Sequence, residues 1–284
     1  MMIHKTLVQI FLVLAVLAIS LQPSSSQGEM ADEDVAIAEP SWLLVTTISP
    51  SYSKEVVAEL EALQEPLGFP DHLAEEDAEK GEGDFDANLY FEVLDRICPQ
   101  RGYVLDYVYH YAGIGGGPVL YARKSTAPPY RNYSEYAAAS GLAKRADRDD
   151  YYLRHLTADG SPESFFQLAL LRIQGEQFYQ YWHDAYNDGR IICDLEDARA
   201  GLGELTGWIG EEESTVEALL ADLEGFDLAP TVSMNGDLVK VEAVVFTKWG
   251  GFVKRSIVME KEFPHLILGE GSQVLVEYDC GIMF

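Results

Sequence analysis

From Tyr103 to Tyr111 the chain alternates, with Tyr103, Leu105, Tyr107, Tyr109 and Tyr111 on one side and Val104, Asp106, Val108 and His110 on the other. A period of two sends successive side chains to opposite faces of a strand, so this stretch predicts a strand with an aromatic face. Gly113, Gly115, Gly116, Gly117 and Pro118 lead into Val119 to Lys124, a second strand, and the pair reads as a hairpin closed by a glycine loop. A phosphate cradle needs a helix N-terminus after its glycines, and here a strand follows.

A period near 3.6 takes over after residue 160. Leu168, Leu171, Gly175, Phe178, Trp182 and Ala185 fall on one face, flanked by Phe165, Phe166, Ala169, Leu170 and Ile173. Ser161 and Pro162 suit the cap and first helical position, and Glu163 places a carboxylate near the positive end of the dipole. These signals predict a long, largely buried helix running to about Asp188, with Gly189 as its left-handed terminal residue. Upstream, Trp42 to Ile48 predicts a strand. Val56, Val57, Leu60 and Leu63 predict an amphipathic helix behind Ser51 or Ser53, and Leu89 to Cys98 a short helix after the acidic loop 71–86. Two further helices are predicted at Leu195 to Leu205 and, capped by Ser214, at Thr215 to Leu223.

The last third predicts an antiparallel meander: Thr231 to Met234, a turn at Asn235 and Gly236, Leu238 to Lys248, a turn at Gly250 and Gly251, Phe252 to Lys261, and a strand from Gln273 to the end. The fold class is therefore α+β, an antiparallel C-terminal β-meander packed on a long central helix with an N-terminal α/β region. Residues 42–284 are expected to form a single domain, with a division into subdomains near residue 150 as the alternative.

The first residues change the expected compartment. His4 and Lys5 precede an apolar run from Leu7 to Leu21 of roughly fifteen residues, short of the about 18 to 20 that span a bilayer. A cleaved signal peptide over 1–27 and a polar linker over 28–41 follow, with a secreted or periplasmic product and no stable membrane span after cleavage. An uncleaved anchor is the alternative.

Composition narrows the partners. Forty-seven acidic residues against 20 basic ones give a formal charge of −27, a surface that repels nucleic acid and suits basic proteins, divalent cations or a small-molecule ligand. The three cysteines, Cys98, Cys193 and Cys280, are too few for a disulfide scaffold, and spacing does not choose a pairing. Asn132, Tyr133 and Ser134 form a glycosylation sequon.

Candidate chemistry concentrates late in the predicted central helix. Helical spacing would stack His183 between Tyr179 and Asn187, and Asp184 between Gln180 and Asp188. His183 with Asp184 or Asp188 is then a candidate acid-base site, and Tyr179, Trp182, Tyr186 and Asn187 are candidate ligand contacts, their rings able to stack on a planar face such as a sugar. Asp84, Asp86 and Asn88 resemble the oxygen-rich opening of a calcium loop, but its sixth position is Leu89 rather than Gly, and helix capping explains the residues equally well. No cofactor loop or nucleophile stands out. The expected function is a non-catalytic exported binding or interaction module, with an exported hydrolase, acting on saccharide, as the second reading.

Overall fold

The structure is a computed structural model that describes residues 42–65, 67–140, 151–183, 188–208 and 213–277. The leader, the linker, the division near residue 150 and Cys280 lie outside the described residues, as do Asp184, Tyr186 and Asn187.

Helices and antiparallel sheets mix along the chain, an α+β protein. Strands β1 (Leu44–Thr47), β8 (Thr231–Asn235), β9 (Leu238–Thr247), β10 (Gly251–Glu260) and β11 (Ile267–Val276) lie side by side in that order. A short strand β7 (Arg190–Ile192) joins them on β9: β8 pairs with the first half of one edge of β9 and β7 with the second half. The turn before β9 pairs Asn235 with Leu238, so the two-residue loop is Gly236 and Asp237, and Gly236 takes a φ of +49°. Asn235 belongs to the strand, so the loop starts one residue later than the Asn-Gly signal suggests. The last strand starts at Ile267, six residues ahead of the expected Gln273.

Alternation along β9 gives the sheet two buried faces. Val239, Val241, Ala243 and Val245 enter one core with Leu168, Leu171 and other residues of the helix α4 (Pro162–Gln174). Val244 and Phe246 enter a second core with Ala198 and Leu202 of α5 (Leu195–Trp208) and Val216, Leu220 and Leu223 of α6 (Glu213–Leu223). Covering both faces with helices removes the apolar side chains of β9 from water.

Strands β3 (Tyr103–Tyr111) and β4 (Gly115–Lys124) form a hairpin with Tyr103 opposite Lys124 and Tyr111 opposite Gly116. Its glycines 115–117 are strand residues rather than loop, and glycine is needed at 116, where a Cβ would stand 2.8 Å from the Tyr109 ring and 2.9 Å from the His110 carbonyl. The aromatic face of β3 packs into the main core. The other face sets Val108 against Tyr121 and Tyr136, the latter from α3 (Tyr133–Ser140).

The central helix starts where the sequence places it and stops early. Ser161 accepts the Ser164 amide at 3.2 Å and Pro162 opens the first turn, but the helix ends at Gln174, with Gly175 as a right-handed cap. Tyr179 and Trp182 carry positive φ angles of 52° and 48°, and Tyr181–Trp182 form a strand, β6, against Gly115 and Gly116. Residues 179–182 are therefore not helical, so the rows expected to start at Tyr179 and Gln180 are not formed among the described residues. The helix expected at Leu89 to Cys98 likewise shrinks to one turn, α2 (Tyr90–Val93), before β2 (Ile97–Pro99) pairs with β5 (Leu156–Ala158).

His265 ties the β10–β11 loop to β5. Its Nε2 accepts the Ala158 amide at 3.3 Å, while Nδ1 faces the Glu260 carbonyl at 3.3 Å, which fixes a neutral ring protonated on Nδ1. Burial lowers its pKa, outweighing the Glu260 and Lys261 backbone bonds and the charges of Glu262 and Glu260 that raise it. Burial, helped by the neighbouring Arg154, also lowers that of His155, stacked on Tyr103 at 4.3 Å. Both rings favour the neutral form when folded, so the unfolded chain takes up protons first as pH falls. Stability is then full above about pH 6.5, the ordinary histidine value, and declines below it. Urea midpoints measured from pH 7.5 to 5 are expected to fall with pH, and His265→Gln to reduce that slope; an unchanged slope in the variant would refute the assignment.

Candidate functional site

A cleft of about 590 Å³ opens between the end of α1 (Pro50–Gln64), the end of α4 and the β7–β9 pair. It lies within the range of small-molecule sites, about 300–1,000 Å³. Its floor is built from buried amides. Gln64 Nε2 donates to the Gln174 carbonyl at 2.7 Å and to the Tyr90 hydroxyl at 2.8 Å, and that hydroxyl donates to the Gly175 carbonyl at 2.7 Å. Gln174 Nε2 donates to the Gly189 carbonyl at 2.9 Å. One relay therefore holds α1, α4 and the approach to β7 at fixed distances, so the cleft is formed without a ligand. Gly189 is needed for close approach: a Cβ there would meet Gln177 Nε2 at 3.0 Å and Val245 at 3.1 Å.

The relay consumes donors. With both Gln64 and Gln174 amide nitrogens donating into protein, Gln174 Oε1 stays buried with no hydrogen-bond partner, in a side chain 2 % exposed. Buried acceptors left without donors cost about 1–3 kcal/mol, and such an atom marks a place where a donor would be favourable. Glu61 and Glu65 line the cleft from α1, whereas Arg190 and Lys248 line it from the sheet, with Asp188 at 3.9 Å from Lys248. Phe69, Phe178, Tyr179 and Phe246 supply ring surface.

The expected site residues part company here. Tyr179 and Asp188 line the cleft. Trp182 and His183 do not: they form an aromatic step at the end of the β3–β4–β6 sheet, rings 4.9 Å apart, where the His183 amide donates to the Ile114 carbonyl. Trp182 and Ile114, 60 % and 63 % exposed, make that end apolar. Phe69 joins the two regions, lining the cleft and stacking on Tyr181 at 4.6 Å. Residues Gln64, Gln174 and Arg190 escape a search for catalytic residue types. For Gln64 and Gln174 the signal was a glutamine inside an apolar helical face, which in both helices is buried and hydrogen-bonded.

The residues proposed for calcium each have a local duty. Asp84 accepts the Gly81 amide at 2.7 Å and lies 2.9 Å from His72 Nε2. Asp86 caps the turn 87–89 by accepting the Asn88 amide at 2.9 Å, and Asn88 exchanges two hydrogen bonds with the Leu105 backbone, at 2.9 and 3.0 Å. Among the described residues no group of three or more His, Cys, Asp or Glu is placed to hold a metal ion. Cys98 is an exposed free thiol. Cys193 is buried and free, its pKa pushed up to about 11 by burial.

The fold and cleft define an α+β protein with a preformed polar pocket. No protein-family model, no curated protein and no solved structure matches the chain. Among the described residues no helix is long and apolar enough to cross a membrane.

Proposed function

We propose that this chain is an exported, non-catalytic binding protein whose small polar ligand occupies the cleft between α1, α4 and β7–β9. The observation that carries the reading is the buried Gln64–Gln174 relay, which holds the cleft walls apart and leaves Gln174 Oε1 without a donor. A preformed site avoids much of the ordering cost of binding. The hydrolase alternative has less support, because Asp188 lines the cleft beside Lys248 while His183 packs against Trp182 at the sheet end. Export rests on the leader pattern and is checked by sequencing the N-terminus of the protein recovered from its native host.

The binding reading is tested by thermal shift across a panel of amino acids, sugars, polyamines and dicarboxylates. A ligand at 100 times its Kd stabilises by about 2.7 kcal/mol, a readily measured rise in melting temperature. At least one class is expected to bind stoichiometrically and to be recovered unchanged. A panel with no binder would remove the proposal, and turnover abolished by His183→Ala would replace it with the hydrolase.

A further inference from the structure

We propose that Asn132 is a modification site, the acceptor of one N-linked glycan added to the chain during export. The inference rests on the export reading and not on the cleft, whose lining includes no residue between 125 and 140.

Asparagine followed two places later by serine or threonine, with no proline between, is the acceptor pattern of protein N-glycosylation. Of the chain's four asparagines, Asn88, Asn132, Asn187 and Asn235, Asn132 alone meets it, through Tyr133 and Ser134. The fold presents that tripeptide at the surface. Lys124 to Thr126, Pro128, Pro129, Arg131, Ser134 and Glu135 are exposed, and Asn132 is half-buried where this stretch enters α3.

The side-chain amide of Asn132 has one end in use and one end open. Its Oδ1 accepts the Glu135 amide at 3.0 Å and so caps α3, while Nδ2 donates to no group among the described residues. Asn88 is the opposite case, its Nδ2 spent on Asp86 Oδ1 at 2.7 Å and on the Leu105 carbonyl at 2.9 Å. A sugar on Nδ2 leaves Oδ1 a carbonyl oxygen, so the cap, worth about 1 kcal/mol, survives the modification. Ser134 has its backbone N–H on Asp77 Oδ1 at 3.0 Å, and its hydroxyl is bonded to no described residue. In the transfer an Nδ2–C1 bond forms to the first sugar and the C1–O bond to the carrier breaks. The carrier's pyrophosphate leaves with that electron pair, and Nδ2 gives up one proton. The co-reactant is a lipid-pyrophosphate oligosaccharide in the membrane that the exported chain crosses.

Tyrosine rings lie on either side of the acceptor. Tyr130 and Tyr133 are half-buried against the cluster of Val108, Tyr121 and Tyr136. Tyr130 stands 5.0 Å from the Tyr121 ring and 5.6 Å from Tyr136, and Tyr133 stands 4.0 Å from the His110 ring. Held by those contacts, each ring keeps part of its surface in water within two residues of Asn132, a rigid apolar area that the C–H face of a sugar can cover.

The experiment uses the protein recovered from its native host. N-terminal sequencing shows whether the leader has been removed, and mass spectrometry of the peptide carrying Asn132, before and after treatment with a peptide-N-glycosidase, shows the glycan. A processed N-terminus is expected, with a sugar on Asn132 that the enzyme removes, leaving aspartate at that position. Ser134→Ala, made in the same host, should lose the glycan with the acceptor and its cap in place, and Ser134→Thr should keep it; circular dichroism confirms that both variants are folded. A processed protein with Asn132 unmodified, or a glycan that persists in Ser134→Ala, would overturn the inference and leave the export reading standing. A protein that keeps its leader and carries no glycan would overturn both.

Discussion

Asp106→Ala is expected to be the most damaging single change that leaves every apolar side chain in place. Asp106 sits on β3, 3 % exposed, and its two carboxylate oxygens meet Lys80 Nζ at 2.5 Å and Arg123 Nε at 2.7 Å. Burial opposes the charge, yet the hydrogen bonds from Lys80 and Arg123 win and hold the carboxyl below the usual carboxylate range. Removing one member of a buried ionic group costs about 3–5 kcal/mol, mostly from the charges stranded behind it. The Lys80 and Arg123 side chains keep 31 % and 22 % exposure, so water relieves part of that cost and about 3 kcal/mol is expected. Urea denaturation at pH 7 measures it; a loss under about 1 kcal/mol would show the triad to be a surface-type contact. Because the folded pKa is depressed, the wild-type contribution is complete above the unfolded carboxylate pKa of about 4 and disappears as pH drops through the folded value. The difference between wild type and Asp106→Asn should narrow in acid accordingly.

Phe178→Ala is expected to cost about 3–5 kcal/mol, the range for emptying a buried aromatic site. Phe178 is 1 % exposed and lies among Phe85, Tyr107, Tyr179 and Tyr90, with ring centroids 4.6, 4.9, 5.4 and 6.5 Å away. Apart from the adjacent Tyr179, those rings come from the segment before α2, from β3 and from α2 itself, so the residue joins parts of the chain distant in sequence. For a protein of this size each kcal/mol moves the melting temperature by about 2–4 °C, and a drop near 10 °C is expected by calorimetry. A drop of a degree or two would mean that the neighbouring rings close over the vacancy.

What could be read from the sequence divides along the range of the forces involved. The β3–β4 hairpin, the start of α4 and the C-terminal strands depend on alternation, a serine cap and short turns, all local. The end of α4 does not. Apolar residues continue at helical spacing through Phe178 and Trp182, but the backbone there is held by partners far away: the Tyr109 hydroxyl donates to the Tyr179 carbonyl at 2.9 Å, Glu176 accepts the Leu120 amide at 2.7 Å, and Tyr90 takes the Gly175 carbonyl. These bonds outweigh propensity and keep Tyr179 in a left-handed conformation that costs about 1–2 kcal/mol. The same long-range contacts explain the cleft. Tyr179 and Asp188 were legible as polar residues in a dense cluster, while Gln64 and Gln174 become intelligible once α1 and α4 meet. Gly175, inside the expected helix, was the available warning.

Among the described residues the sheet ends in strands with exposed apolar side chains. On β1 and just before it, Leu43, Leu44 and Val45 are 77 %, 55 % and 60 % exposed, and on β11 Leu268 and Val274 are more than half exposed. Open edges with apolar side chains invite pairing between molecules. Two chains each carrying −27 repel one another, and that mutual repulsion is screened within about 3 Å at 1 M salt and neutralised as carboxylates protonate. The surplus of carboxylates thus works as a colloidal guard over unfinished strands, and concentrated brine or acid would be the conditions under which these molecules clump.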